Sequence, residues 1–457
     1  MFELHCLPTN FLRMASWLLK QPFAHGDLKP DNIIVQKDGY CVLVDYDGMY
    51  VPTMQGMPRI CMGTPNFTHP SQTEHALNKD IDSYAITVIA LSLQVFALRP
   101  GLIGESPDFC VITKQQALKL HTVSLLDDEN LMADNNTQEL LSLFLHTLSQ
   151  NKLDAEYFDK AIAEILVPKD FDIYNTEVTD EDLENCYEDR FNVRYSLDGR
   201  RLLRTSGHDY FYETYRIREG VMTVCSSALR TLDEPEELER IFLPDSILSI
   251  GRDAFADKGY LTFCNIPQSV IHIEDNPWMG CSMKQMRCDS KHFIIEDGIL
   301  YSADHRIVYG LVYSHSDIII DKRAKIIVRG AFYGHRFLES INLGTVKSIG
   351  NGAFSGCSFL REITIPDSVE SIGNHAFSGC YSLEEITIPD SVESIGDLAF
   401  SGCSSLEEIT MPGSINSIGY DAFASCAFLK RIYVPKSNFI RFKFILPQKF
   451  HNFLVGI

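Results

Sequence analysis

From Leu360 onward the chain alternates apolar and polar residues in a pattern that repeats every 23 positions. Leu360, Leu383, Leu406 and Leu429 mark one phase of it, and Phe354, Phe377, Phe400 and Phe423 another. Segments 360–382, LREITIPDSVESIGNHAFSGCYS, and 383–405, LEEITIPDSVESIGDLAFSGCSS, agree at 19 of 23 positions. Each unit opens with an alternating I-T-I, which predicts a short strand with one buried face. A Pro-Asp-Ser turn follows, then V-x-S-I-G, then A-F-x-G-C. One unit cannot bury its own leucine, isoleucines and phenylalanine. Stacked on the same residues of the next coil, each such side chain contributes about 1.5–3 kcal/mol, so the pattern predicts a capped solenoid with Phe377 and Phe400 buried. Weaker copies begin near Leu238, Leu261 and Leu338.

The first 166 residues follow a different period. FLRMASWLL, IDSYAITVIALSLQVFAL, QELLSLFLHTLSQ and AEYFDKAIAEIL carry apolar residues at three- and four-residue spacing and predict helices. Short strands are expected at 33–35 (IIV) and 41–46 (CVLVDY), joined by a QKDG turn. Residues 167–190 turn acidic and read as a linker. Residues 191–237, with NVRYSLDGRRLLR and YRIREGVMTVCSSAL as strand pairs, form a strand-rich cap leading into repeats at 238–435. A β-hairpin inserted at about 284–323 interrupts the rhythm, with DG and ADHR as turns. Residues 436–457 close the array.

A formal charge of −21 argues against nucleic acid or an anionic lipid surface as a partner, because such binding rests on Lys and Arg neutralising phosphates. Apolar stretches such as Ile89–Leu98 are shorter than the roughly 20 residues that cross a bilayer. MFELHCLPTNFLRMASWLLK lacks a basic leader and carries an Arg within its apolar segment, so a cytoplasmic address is expected. The 13 cysteines show no Cys-x-x-Cys pairing, and Cys357, Cys380, Cys403 and Cys426 share the 23-residue phase. They read as reduced thiols buried at one fixed point of each coil.

These units resemble the 23-residue, LPxSVxxIGxxAFxxC type of leucine-rich repeat known as BspA-like, over roughly residues 215–435. The resemblance implies a protein-interaction or adhesion surface and no chemistry of its own. Positions that differ between the near-identical units, Arg361, Asn374, His375 and Tyr381 against Glu384, Asp397, Leu398 and Ser404, are the expected binding positions for a protein partner or substrate.

Chemistry is expected elsewhere, in HGDLKPDNIIV at residues 25–35. An Asp on a loop can accept a hydroxyl proton, a Lys two residues on can neutralise a transferring phosphate, and an Asn five residues after the Asp can bind a metal ion. A second carboxylate, Asp45 in VLVDYDG, lies 13 residues after Asn32. The set resembles the protein-kinase pattern His-Arg-Asp-Leu-Lys-Pro-x-x-Asn followed by Asp-Phe-Gly. GTPNFTHPS, from Gly63 to Ser71, is similar to the Gly-Thr-Pro-x-Tyr-x-Ala-Pro-Glu that closes the kinase activation segment. The resemblance implies Asp27 as catalytic base, Lys29 as phosphate contact, and Asn32 and Asp45 as magnesium ligands for ATP. His25, Thr64 and Asp82 would support them, Thr64 by touching Asp27 and Lys29, and Asp82 by bracing the loop from below.

The matches come with departures. Gly26 stands where kinases have the Arg that reads activation-segment phosphorylation, Asp47 where the Gly of Asp-Phe-Gly belongs, and Ser71 where a Glu pairs with an Arg. The chain also begins inside the helix that precedes the catalytic loop. The small lobe, with its glycine-rich loop, strand Lys and helix Glu, is thus not in it, and little ATP binding or catalysis is expected of the chain alone. The implied fold is multidomain: a mainly α kinase-like C-terminal lobe, then an α/β-type leucine-rich-repeat solenoid of mostly short strands with one β-hairpin insertion. The implied function is a Ser/Thr protein-kinase-like protein that recruits partners through its repeats. The alternatives are a pseudokinase scaffold without catalysis and, on His-Gly-Asp, a small-molecule phosphotransferase of the aminoglycoside-kinase type.

Overall fold

A computed structural model describes residues 2–457 except 37–38, 60–62, 72–76, 121–122, 124–126, 190, 206–212, 231–237 and 314. The chain divides into two units. The first comprises Met1–Asp172 with Leu197–Gly199 and Arg218–Gly220, and the second the remainder.

The first unit is built from helices. α1 (Phe2–Lys20) is followed by a β-hairpin of β1 (Ile33–Val35) and β2 (Cys41–Leu43), then by α2 (Ser83–Leu98), two single-turn helices α3 (Lys114–Ala117) and α4 (Glu129–Met132), α5 (Asn135–Gln150) and α6 (Ala155–Leu166). The starts are chemically marked. The Asp128, Asp134 and Asp154 side chains each accept backbone N–H groups that open α4, α5 and α6. α2 is the centre: every residue in it except Leu93 and Leu98 is buried, against Phe11 and Leu12 of α1, Phe144 of α5 and Phe158 of α6. Lys79–Leu98 is long and apolar enough to cross a membrane by length and composition. The shorter stretch read from sequence began only at Ile89, and burial on nearly all sides accounts for the apolar length here.

The second unit is a β-solenoid. Each coil gives one strand of the Glu-Ile-Thr type to one parallel sheet and a two-residue Ser-Ile strand to another. Pairing follows the repeat, with Ile386 beside Ile409 in one sheet and Ile349, Ile372 and Ile395 side by side in the other. The phenylalanines form a column. Phe332, Phe354, Phe377, Phe400 and Phe423 stack with centroids 5.0–5.6 Å apart and planes within 7° of parallel. Next to that column each thiol donates to the carbonyl of a phenylalanine on the preceding coil: Cys357 to Phe332, Cys380 to Phe354, Cys403 to Phe377 and Cys426 to Phe400, at 3.0–3.2 Å. The cysteines among the described residues are free thiols. Burial pushes Cys357 up to about 12, and Cys380 and Cys403 are raised for the same reason. The Gly of Ser-Ile-Gly is required by close stacking. A Cβ on Gly373 or Gly396 would come within 2.7 or 2.5 Å of the backbone nitrogen of the coil before.

Several expectations change. Among the described residues no coil between Thr214 and Val434 contains a helix, so the array is all-β rather than α/β-type: A-F-x-G-C forms tight turns. Residues 193–196 and 201–205 pair as antiparallel strands. The strands in YRIREGVMTVCSSAL, however, do not pair with each other. Thr214–Arg216 joins one sheet and Thr223–Val224 the other, as in any later coil. The insertion is a three-stranded antiparallel meander, Phe293–Glu296, Ile299–Ser302 and Ile307–Leu311, which then continues the solenoid sheet. Both expected turns are present, Asp297-Gly298 with positive φ at each residue and His305 with φ +62°. The acidic stretch 167–190 contains a capped helix α7 (Asp180–Glu184) and an edge strand, Cys186–Glu188, paired with Val193–Ser196. The chain ends in α8 (Phe439–Ile445) and a final strand, Leu454–Gly456, added to the sheet beside Arg431–Val434.

Candidate functional site

The loop at residues 25–32 sits between α1 and β1, and its backbone is fixed from below. Asp82, at the N-terminal end of α2, is buried, and its two carboxylate oxygens accept the backbone N–H of His25 at 2.5 Å and of Gly26 at 2.9 Å. Burial pushes the Asp82 carboxyl up from the usual carboxylate range; the two N–H donors and the charges of His25 and Arg59 pull against it. The His25 ring is fully buried and bonds the Val44 carbonyl through Nε2 at 2.8 Å, with the Tyr46 ring 5.0 Å away. The second strand was expected to run to residue 46. It stops at Leu43 because Asp45 turns into the left-handed region, φ +62° and ψ +68°, and Tyr46–Gly48 forms a single turn of 3-10 helix. A non-glycine residue in that region is uncommon and tends to occur where function holds it.

Three of the expected residues converge on Asp27. Lys29 Nζ lies 3.1 Å from Asp27 Oδ2. The Thr64 N–H and hydroxyl both reach Asp27 Oδ1, at 3.0 and 3.3 Å. Asn32, buried, donates through Nδ2 to the Asp27 carbonyl at 2.9 Å. The hydrogen bond that Lys29 donates to Asp27 raises its pKa above the ordinary value, with further support from the charges of Asp27, Asp31 and Asp45. The last of these places Asp45 within electrostatic reach of Lys29. Asp45 itself is exposed.

The departures from the kinase pattern have physical partners. Gly26, with φ +84°, lies against Gly48, and a Cβ there would be 2.5 Å from the Gly48 carbonyl carbon and nearer still to its oxygen. An Arg has no room at that position. A guanidinium arrives instead from Arg59, whose Nη2 donates to the Gly26 carbonyl. Ser71 bonds the His69 ring at 2.9 Å, and His69 Nε2 bonds the Leu148 carbonyl at the end of α5 at 3.0 Å. This anchors the end of the segment to the helices where a Glu–Arg pair was expected. Arg59 had no motif to mark it in the sequence, and only its position within the same segment as Thr64 could have suggested it.

The binding positions expected in the repeats divide into two kinds. Asn374 and Asp397 are not at liberty to recognise a partner through their side-chain oxygens. The Asn351 Oδ1 accepts the Asn374 N–H, Asn374 Oδ1 accepts the Asp397 N–H, both at 2.8 Å, and Asp397 Oδ1 accepts the Tyr420 N–H at 2.6 Å. This is a polar ladder between coils. His375 and Leu398 both adopt positive φ in the following turn. Tyr381, by contrast, is 57% exposed.

Residues 231–307 and 325–445 match the family described as BspA type leucine rich repeat region, in six copies. The repeats of this chain are BspA-type leucine-rich repeats. No curated protein matches the chain. Among solved structures it is similar to a leucine rich cell surface protein from Faecalibacterium prausnitzii, at 25% identity over 50% of this chain and 61% of that one, TM-score 0.42. It is also similar to the pneumococcal vaccine antigen PcpA, at 21% identity over 53% of this chain and 67% of that one, TM-score 0.46, and to a leucine rich repeat protein of T. pallidum, at 31% identity over 31% and 69%, TM-score 0.29. The chain thus spans 61% of the length of the first of these.

Proposed function

We propose that residues 1–172 form the phosphotransfer half of a Ser/Thr protein-kinase-like protein, and that its leucine-rich repeats bind a protein partner or substrate. The supporting observation is the joint engagement of one carboxylate: Asp27 is held by Lys29 on one oxygen and Thr64 on the other, while Asn32 braces its backbone. In this reading Asp27 accepts the proton of a substrate hydroxyl, and Lys29, already beside it, faces the transferred phosphoryl group. Magnesium and ATP fit the remaining donors. Asn32 spends its amide N–H on Asp27, which leaves its carbonyl oxygen as a hard ligand, and Asp45 offers an exposed carboxylate. The ion, when bound, supplies neutralisation of phosphate charge. The hairpin beside these residues leaves Ile34 and its cross-strand partner Val42 exposed on one face, an apolar pair that a covering lobe or a purine base would bury.

The GTPNF segment favours a protein kinase over an aminoglycoside-type enzyme, because Thr64 in it contacts Asp27 directly. The test joins the chain in frame to a small lobe bearing a glycine-rich loop, a strand Lys and a helix Glu, and follows radiolabel transfer from ATP to Ser or Thr. Transfer that falls by roughly two orders of magnitude or more in Asp27→Asn is expected for loss of a general base. No transfer from the joined protein would leave the lobe as a binding scaffold.

A further inference from the structure

Three side chains able to coordinate a metal ion meet in the second unit, at the inserted meander and the segment that follows it. Glu296 ends the strand 293–296, His305 lies in the turn between strands 299–302 and 307–311, and Asp321 follows the strand 317–319. Each offers a ligand atom within 4.8 Å of the other two, and among the described residues this is the one group of three His, Cys, Asp or Glu so placed. His305 Nε2 stands 2.7 Å from Glu296 Oε2. A separate observation concerns the imidazole itself. Its side chain is only 7% exposed, and Nδ1 is buried without a hydrogen-bond partner. Leaving a buried polar atom unsatisfied is costly, and such atoms call for an explanation.

The surroundings are acidic. Asp297 and Asp304 lie close enough, with Glu296 and Asp321, to act electrostatically on Tyr301 or Arg323, and the Tyr301 ring packs 5.2 Å from His305. Arg306 lies 3.7 Å from Asp304, and Arg323 grips both oxygens of Asp321 at 2.9 Å. Arg323 is half exposed and can turn into solvent without leaving a buried charge behind.

We propose that Glu296, His305 and Asp321 form a binding site for a first-row divalent transition metal, with Zn2+ the ion their chemistry suits best. One imidazole and two carboxylates make a mixed nitrogen and oxygen set with a fourth position for water. Ca2+ and Mg2+ prefer six or more oxygen ligands and little nitrogen. The ion replaces the Arg323 guanidinium at Asp321 and cross-links a strand end and a turn of the meander to the segment after 317–319, so binding stabilises the insertion by mass action.

The experiment is calorimetric titration of the metal-stripped full chain with Zn2+ alone and with Mg2+ alone, near neutral pH, beside His305→Gln and Glu296→Gln. One Zn2+ site and no comparable Mg2+ site are expected in the unsubstituted chain, with affinity about tenfold or more weaker in each variant. His305 is buried, so its loss can disturb packing. Glu296 is 54% exposed and its variant folds with the parent. Absence of a Zn2+ site, or an unchanged site in Glu296→Gln, overturns the proposal. So does a thiolate charge-transfer band in the Co2+-loaded chain, which would place the ion on cysteines.

Discussion

Gly26 and Gly56 have nearly the same backbone conformation, φ +84° and +78°, in opposite surroundings. A Cβ on Gly56 meets no atom within 4 Å, whereas one on Gly26 overlaps the Gly48 carbonyl group. Gly56→Ala therefore carries only left-handed strain of about 1–2 kcal/mol, partly offset by about 0.4–1 kcal/mol from stiffening the unfolded chain. Gly26→Ala carries the same strain and must also push the Gly48 carbonyl aside. That carbonyl is two residues from Tyr50, whose N–H and carbonyl bridge Ala24 at 2.9 and 3.1 Å. Weakening those two bonds adds about 0.5–1.5 kcal/mol each, so after the same offset the expected losses are about 1–4.5 kcal/mol for Gly26→Ala and under about 1.5 kcal/mol for Gly56→Ala. Urea denaturation followed by far-ultraviolet circular dichroism reads this, because the signal comes mostly from the helical first unit. Equal losses for the two variants, or a Gly26→Ala loss below about 1 kcal/mol, would refute the packing of the catalytic-type loop on Gly48.

Three further outcomes are expected. Cys380 and Cys403 should resist thiol reagents in the folded chain at mildly alkaline pH and react on unfolding, since burial and donation to a carbonyl keep them protonated; rapid native labelling of either, read by mass spectrometry, contradicts the column. Asn374→Ala should cost about 0.5–1.5 kcal/mol by removing the acceptor of the Asp397 N–H, while Tyr381→Ala stays within about 0.5 kcal/mol; chemical denaturation separates them, and equal effects would deny the ladder. Burial lowers His335 to about 4, below the ~6.5 of an unfolded histidine. The unfolded chain therefore takes up the proton first as pH falls, so stability is complete above about 6.5 and declines toward 4. His335→Gln should show a shallower decline over that window in the denaturation midpoint, and an unchanged slope would rule out a buried neutral ring.

The repeats were legible because the residues that bury one another are the residues that recur. Leu383, Ile386 and Phe400 have identical neighbours on either side, and one period specifies strands, turns and core together. Where that redundancy fails, so did legibility. Asn374 and Asp397 differ in identity but share an acceptor oxygen, so a comparison of letters took a conserved hydrogen bond for a variable position. The insertion's first and last strands pair with different partners, antiparallel to Ile299–Ser302 and parallel to Ile326–Ile327, which alternation alone cannot tell apart. Glu296, His305 and Asp321 are brought together only by those turns. In the first unit, Asp27, Lys29 and Asn32 stood out by spacing on one loop. The Arg59 contact to Gly26 depends on how a distant segment folds back, and no local pattern carries that.

The assignment of roles around Asp27 is most directly tested by radiolabel transfer from ATP, measured for the chain joined to a small lobe and for its Asp27→Asn, Asp45→Ala and Asp47→Ala forms at saturating magnesium. Asp45 and Asp47 are both exposed and two residues apart, but only Asp45 has the left-handed backbone and a charge felt at Lys29. Loss of transfer in Asp45→Ala, a fall of about 10²-fold or more in Asp27→Asn and near-parental rates in Asp47→Ala are the predicted result. Transfer that is indifferent to Asp27 and Asp45, or equally sensitive to Asp45 and Asp47, would contradict a phosphotransfer site built on these residues.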